Sequence, residues 1–367
     1  MSGTGRAGVG LIGAGNISTQ YLSNLVTFPD VEVRFVADLD TERAAAQAAT
    51  YGVERSGSVA ELLADDEIEV VVNLTVPAVH VEVAEQVLAA GKHVWSEKPF
   101  ALERESGRGL LAAAQRAGLR VGTAPDTFLG AGIQSALRLV ADGGIGRPHG
   151  ALTLMQSPGP ESWHPNPAFL FDIGGGPLFD IGPYYLTALV QFFGPVARVH
   201  AVTSQARAER IIGSGPLAGH SFPVNVPTHV STLLQFESGQ TAQSVFSFDS
   251  RLGRTQFEIT GDDATLTVPD PNTFSGDLVI TRGRDDEERV PSTGAAAGRG
   301  MGVVEMVRAI RAGVPERASG ELAFHVLDVM QAIIEAGDAG DPVDVTSTVE
   351  LPPPLDAGWD PAAATLS

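Results

Sequence analysis

The sequence predicts an α/β chain in two parts: a parallel sheet with helices on both faces, then an α+β domain built on a mostly antiparallel sheet. Three observations carry this. Single hydrophobic cores stop growing near ~250–300 residues, so a chain of 367 residues calls for two domains. Over the first third, short β-branched runs alternate with helical patterns, as parallel strands joined by crossover helices require. Beyond about residue 125 strand-like runs dominate, joined by turn signals such as "ESGQ" and "TGDDAT". The expected parts are residues 1–124, residues 125–351 and a proline-rich tail, 352–367.

The early strands are "GVGLIG" (8–13), "VEVRFVADL" (31–39), "IEVVVNLTV" (68–76), "KHVWSE" (92–97) and "LRVGTA" (119–124). Between them lie helical patterns at 16–27, 41–50, 58–64, 78–90 and 104–117. In the fourth of these, Val79, Val83 and Val87 recur at i, i+4 and Gly91 ends the run; Gly118 closes the next one. The second part opens with a helix near 131–142, a strand from "GRPHGALTLMQ" and a helix over 177–193. Strands follow at 196–205, 228–236, 240–248, 255–260, 264–268 and 277–282. An amphipathic helix, 320–337, is ended by Gly337 and is placed to pack back on the first part. One face of the antiparallel sheet is free to pair with another subunit.

Composition narrows the function classes. With 44 acidic and 24 basic residues the formal charge is −20, which repels phosphate backbones and anionic lipid, so neither nucleic acid nor membrane is an expected partner. No cysteine is present, which excludes disulfides, thiolate nucleophiles and cysteine-bound zinc. The scattered histidines show no metal-ligand spacing, and there is no Gly-x-Ser-x-Gly elbow. Neither a leader-like apolar segment nor a ~20-residue apolar span occurs; a cytoplasmic location is expected.

"VGLIGAGNIS" leaves the first strand carrying Gly13-x-Gly15-x-x-Ser18 and leads into a helix through Asn16 and Ile17. The first glycine allows a tight turn. The second removes a Cβ where a pyrophosphate must approach, and the third position packs helix on strand. The helix N-terminus offers unpaired N–H groups to phosphate. The next strand ends in "VADLD". Asp38 can there accept from the ribose hydroxyls of NAD, or it can cap the following helix, for which Asp40 is better placed. NAD is the expected cofactor, and the nearby Arg43 leaves NADP open.

Ligands of open parallel sheets sit outside the carboxyl ends of the strands. "NLTVPAVH" places Asn73, Thr75, Pro77 and His80 after one strand, and "SEKP" places Glu97 and Lys98 after the next. Pro99 biases Lys98 toward extended backbone. Lys98 is either a solvated loop lysine or a proton-transfer group beside the nicotinamide.

Together "GLIGAGNIS", "ADLD", "NLTVPAVH", "SEKPFAL" and "GGGPLFDIGPYYL" resemble, in order over residues 8–190, the glucose–fructose oxidoreductase / inositol dehydrogenase / rhizopine-catabolism family of NAD(P)-dependent oxidoreductases. The resemblance implies an N-terminal Rossmann domain, a second domain with a large open sheet commonly used for oligomerisation, and a functional lysine at Lys98. It also implies that "GGGPLFDIGPYYL" (174–186) is the substrate segment, where the family pairs an aspartate with a histidine. Asp180 matches, but Tyr184 stands in the histidine position, at i, i+4 on the expected helix. Tyr184 is then the acid/base itself, a substrate ligand while Lys98 moves the proton, or the mark of lost chemistry. In the upstream "SPGPESWHPNPAFLF", His164 either supplies the missing imidazole or is an ordinary loop histidine. Trp163 stacks on a sugar ring or simply packs. Asp126 faces substrate or caps a helix, and His325 is structural.

The expected reaction is hydride transfer between a secondary alcohol of a sugar, cyclitol or related polyol and the nicotinamide, in a homo-oligomer, dimer or tetramer. Two rivals are an NAD-dependent glycoside hydrolase that oxidises its sugar transiently, and a non-catalytic dinucleotide-binding regulator.

Overall fold

The structure, a computed structural model, describes residues 5–366. Its first stretch runs β1 (Ala7–Ile12), α1 (Asn16–Leu25), β2 (Val31–Ala37), α2 (Thr41–Tyr51), β3 (Arg55–Gly57), α3 (Val59–Leu63), β4 (Val70–Asn73), α4 (His80–Ala89), β5 (His93–Ser96), α5 (Arg104–Ala117) and β6 (Val121–Thr123). The six strands pair in parallel in the order β3-β2-β1-β4-β5-β6. Every residue of β1 and β4 is buried, as a sheet covered on both faces demands. Local signals set the helix ends: the Asp40 side chain accepts from the Arg43 amide at the start of α2, Ser58 and Glu61 form a capping box on α3, and Gly118 ends α5 at φ 66°. β3 carries no sequence signal, being three residues long with Arg55 and Ser56 exposed.

The chain continues through α6 (Ala131–Ala141), β7 (Pro148–Gln156), α7 (Gly176–Asp180), α8 (Gly182–Phe193), β8 (Val196–Ser204), β9 (Glu209–Ile211), β10 (Ser221–Pro223), β11 (His229–Phe236), β12 (Thr241–Ser247), β13 (Arg254–Gly261), β14 (Thr265–Thr267), β15 (Leu278–Gly283) and β16 (Asp286–Val290). It ends with α9 (Met301–Ala312), α10 (Gly320–Ala339) and β17 (Val343–Asp344). Nine strands form one sheet, β16-β15-β14-β13-β7-β12-β11-β8-β17, antiparallel except where β12 pairs with β7. Burial alternates along β11 and β12, so one face is packed and the other open. On the packed face Tyr185 of α8 meets the rings of Phe246 and Phe257 at 5.9 and 6.2 Å. β9 and β10 form a separate two-stranded sheet.

Two expected helices differ. The helix expected over 177–193 breaks at Ile181, dividing α7 from α8. Pro183 has no N–H to donate to the carbonyl four residues back, and its ring clashes there. Asp180 therefore ends one helix while Tyr184 lies in the first turn of the next, so they do not share one helix face at i, i+4. Gly337 does not end α10, which runs to Ala339 before Gly340 turns at φ 72°. A Cβ on Gly337 would lie 2.5 Å from the Thr203 side chain, so this glycine serves close packing on β8.

By internal contacts the chain forms two compact units. One comprises residues 1–134, 293–324 and 351–367; the other comprises 135–292 and 325–350. The first unit thus takes in α9 and the proline-rich tail as well as the parallel sheet. The tail is anchored: buried Asp30 accepts from Arg308 Nε at 2.7 Å, Thr365 Oγ1 at 2.6 Å, and the Thr365 and Leu366 amides at 2.9 Å. Burial alone would raise the Asp30 pKa, but these donors bring it down to about 2. A depressed carboxyl pKa stabilises the fold above the unfolded value near ~4 and loses that contribution as pH falls toward about 2. Asp30→Asn is expected to lower unfolding free energy at pH 7 by about 1–2 kcal/mol, with the deficit shrinking below pH ~4; urea unfolding across that range measures it.

Candidate functional site

The turn after β1 is held from both sides. Gly13 donates to the Ala37 carbonyl at 2.8 Å, and Leu74 donates to the Ile12 carbonyl at 2.8 Å. Gly13 adopts φ +102°, and a Cβ there would lie 2.7 Å from the Leu74 oxygen. Only glycine suits such a position. Gly15 is the N-cap of α1, with no side chain closing the first turn and no acidic residue in it. A Cβ built on Gly15 meets nothing within 4 Å. Asn16 is exposed and Ile17 half-buried, while Ser18, in the third glycine position, is fully buried and donates to the Gly15 carbonyl.

Asp38 follows β2 and is buried. Its Oδ2 accepts from the Ala14 amide at 2.6 Å and Arg43 Nε at 3.3 Å; its Oδ1 accepts from the Asp40 amide at 2.9 Å and Arg43 Nη2 at 2.6 Å. Burial would raise its pKa, but these donors, Arg43 foremost, hold it below the usual carboxylate value.

Beyond β4 and β5, several predicted ligands turn inward. Asn73 is fully buried; its amide donates to the His80 carbonyl at 3.0 Å, and its oxygen accepts from Thr75 Oγ1 at 2.7 Å. His80 is also buried, with Nδ1 2.9 Å from the Pro99 carbonyl and Nε2 3.0 Å from the Thr75 carbonyl. Both side chains are turned inward and tie the strand-end loops together. Thr75 and Pro77 are half-buried beside them. Glu97 is buried, accepting from Tyr21 Oη at 2.8 Å and from the Lys98 amide at 3.0 Å. Trp95 Nε1 donates to the same phenol at 3.3 Å. Burial, and then the Glu97 charge, push the Tyr21 phenol well above its ordinary pKa and keep it a donor. Lys98, half-buried after β5, thus sits between two neighbours, Glu97 and Pro99, that buried side chains hold; its bond to Pro99 is cis.

Asp126 takes the capping alternative. It is fully buried and accepts from the Gly300 and Gly302 amides at 2.9 and 3.2 Å, at the start of α9, with Arg299 at 3.6 Å. Its side chain is thereby turned into the first unit. Nothing in the local sequence foretells this, because its partners lie over 170 residues away.

In the second unit, Asp180 is half-buried and Tyr184 buried. Upstream, Trp163 is 68% exposed. The His164 ring packs edge-on between Trp163 and Phe169, centroids 5.6 and 5.5 Å away, and its Nδ1 accepts from the Asn166 amide at 3.1 Å. This loop hangs on Arg210, which sequence reasoning does not single out. Buried Arg210 pairs with Glu161 and Asp249, donates to the Pro158 and Phe248 carbonyls at 3.1 and 2.9 Å, and stacks over Phe171. His325 is structural: Nε2 accepts from the Val196 amide at 3.0 Å, Nδ1 lies 2.9 Å from Ser347 Oγ, and burial lowers its pKa to about 4.

A profile described as an oxidoreductase family with an NAD-binding Rossmann fold matches residues 7–124, and the C-terminal domain profile of the same family matches residues 133–267. The chain belongs to the Gfo/Idh/MocA oxidoreductase family. It is 28% identical to a 1,5-anhydro-D-fructose reductase of Ensifer adhaerens over 70% of this chain and 74% of that protein. It is 34% identical to a dTDP-3,4-didehydro-2,6-dideoxy-alpha-D-glucose 3-reductase of Streptomyces antibioticus over 55% of this chain and 60% of that one. Its fold matches an NAD binding oxidoreductase from Klebsiella pneumoniae with TM-score 0.81 at 23% identity, over 93% of this chain and all of that one.

The residues present fit the family's dinucleotide. The open space over Gly15, beside uncapped amides at the start of α1, is a cradle that a side chain would fill. Among the described residues no group of three or more His, Asp or Glu side chains is placed to hold a metal ion. The two glycines are expected to separate on mutation. Gly15→Ala should leave thermal stability within about 0.5 kcal/mol yet weaken dinucleotide binding, whereas Gly13→Ala should cost about 1–3 kcal/mol of stability. Calorimetric melts and dinucleotide titrations of both variants check this.

Proposed function

We propose that this chain interconverts a secondary alcohol and a ketone on a sugar, cyclitol or related polyol, with Lys98 moving the alcohol proton. The supporting observation is the position of Lys98: half-buried at the carboxyl end of β5, in the half of a β3-β2-β1-β4-β5-β6 sheet that begins at the strand-order reversal. A bound nicotinamide supplies the hydride acceptor. Lys98 Nζ takes the hydroxyl proton in oxidation and returns it in reduction. Glu97 and His80 fix the backbone on either side of it, so the side-chain amine, neutral when it accepts the proton and ammonium when it returns it, is delivered from a stiff turn.

In the second unit we assign Asp180, Tyr184 and His164 to binding substrate hydroxyls and Trp163 to contact with a ring face. Tyr184 donates from its phenol while Lys98 carries the proton. The sugar reductases among the relatives support a polyhydroxylated substrate. Val202 and Leu233, 71% and 51% exposed on neighbouring strands of the nine-stranded sheet, support assembly of copies through its open face. Among the described residues no helix is long and apolar enough to cross a membrane, and a cytoplasmic location accords with this.

A panel of sugars and inositols, read by reduced-nicotinamide absorbance, is expected to give turnover with at least one member; none across aldoses, ketoses, anhydrosugars and cyclitols would remove the reading. Lys98→Met should cut turnover by about 10²–10⁴-fold while leaving dinucleotide affinity within a factor of about two. Unchanged turnover would take Lys98 out of the reaction.

A further inference from the structure

We propose that Tyr21 is a positioning residue for the reaction: from α1 it holds the Glu97 carboxylate on the Lys98 backbone and away from the Lys98 amine. This rests on the role proposed for Lys98 above and deepens it.

Tyr21 lies in the second turn of α1, the helix that follows the glycine turn, and it is fully buried. Its hydroxyl meets two residues of β5 and its carboxyl end. Trp95 Nε1 approaches the phenol oxygen at 3.3 Å, and an indole can only donate. The phenol proton therefore goes to its other neighbour, Glu97 Oε1, at 2.8 Å. The second oxygen of Glu97 accepts from the Lys98 amide at 3.0 Å. The donors thus run in one direction, from Trp95 through Tyr21 to Glu97, and the carboxylate is held at both oxygens. A phenylalanine would fill the same buried place with no hydroxyl to satisfy, so packing alone does not call for tyrosine.

Without the Tyr21 donor, one Glu97 oxygen would turn toward a nearby cation, and the ammonium of the next residue is at hand. A closer opposite charge favours the ammonium form of a lysine. Such a lysine is a poorer acceptor for an alcohol proton, because only the neutral amine can take it. The other charges around the phenol are Asp126 and Arg299, which face each other at 3.6 Å, and Asp126 is held in place by the Gly300 and Gly302 amides. Glu97 is accordingly the carboxylate that the phenol steers. The helix that carries the cradle over Gly15 thereby also governs the lysine, so dinucleotide and proton acceptor are placed from one element.

Lys92 and Lys98 are the only lysines of the chain, so NMR of protein labelled at lysine gives two amine signals to titrate. Lys92, buried and donating to the Asp65 and Ile68 carbonyls, is the internal reference. Tyr21→Phe is expected to raise the Lys98 midpoint by about 0.5–1 pH unit. The Lys92 signal should stay in place, which also shows that the variant is folded. Turnover in the direction of oxidation should fall about 3–10-fold below the midpoint and rejoin the wild type above it, with dinucleotide affinity within a factor of about two. Adding Glu97→Gln to Tyr21→Phe removes the charge and should return the midpoint to the wild-type value or lower. A phenol that only supports the fold would lower the melting temperature and leave the Lys98 midpoint unmoved. That result, or a double variant whose midpoint stays raised, would overturn the proposal while leaving the reaction reading intact. A wild type that turns over no sugar or cyclitol would overturn the reaction reading itself, and this inference with it.

Discussion

The turn from β1 into α1 is fixed by backbone on two sides, and the site depends on it. Neighbouring strands clamp it through Gly13 to Ala37 and Leu74 to Ile12, and the Asp38 carboxylate holds its next amide. Leu74 approaches so closely that no side chain fits at Gly13. This direct contact between loops at adjacent strand ends aims the first amides of α1. The helix N-terminus can then present donors without a side chain or bound ion to orient it.

A second layer of polar groups lies behind the strand ends. Asn73, His80, Glu97 and Asp126 are all buried, and each is hydrogen-bonded to backbone within the first unit. Burying such groups is costly unless they are paired, and here pairing ties one strand-end loop to the next. Rigidity of this kind suits the role proposed for Lys98, because small displacements of a proton-transferring group are expensive. The chemistry-bearing residue types along these loops thus divide between presenting a functional group and holding the loop that presents it.

The second unit solves a similar problem with charge. Arg210 lies inside the protein with two carboxylates, two carbonyls and an aromatic face around it. A buried ion pair adds little net stability, but removing either partner would strand a charge. The loop carrying Trp163 and His164 is accordingly tied through Glu161 to Arg210 of β9 and, through it, to Phe248 and Asp249 just after β12, while Phe171 farther along packs with Phe222 and Phe248.

The sequence by itself determined the parallel sheet, the glycine turn, the caps at Asp40 and Gly118 and the antiparallel character of the second part, because each follows from local periodicity or from a backbone angle only certain residues adopt. Lys98 and its setting were legible for the same reason: strand, lysine and proline are contiguous. Tertiary structure alone decided which polar residues face inward. Asp126 meets amides from α9, Tyr21 meets Glu97 across 76 residues, and Arg210 reaches Glu161 across 49. It also decided that Gly337 packs against Thr203 within a helix that continues past it. A side chain's partner is set by where distant segments fold, and no local pattern encodes that position.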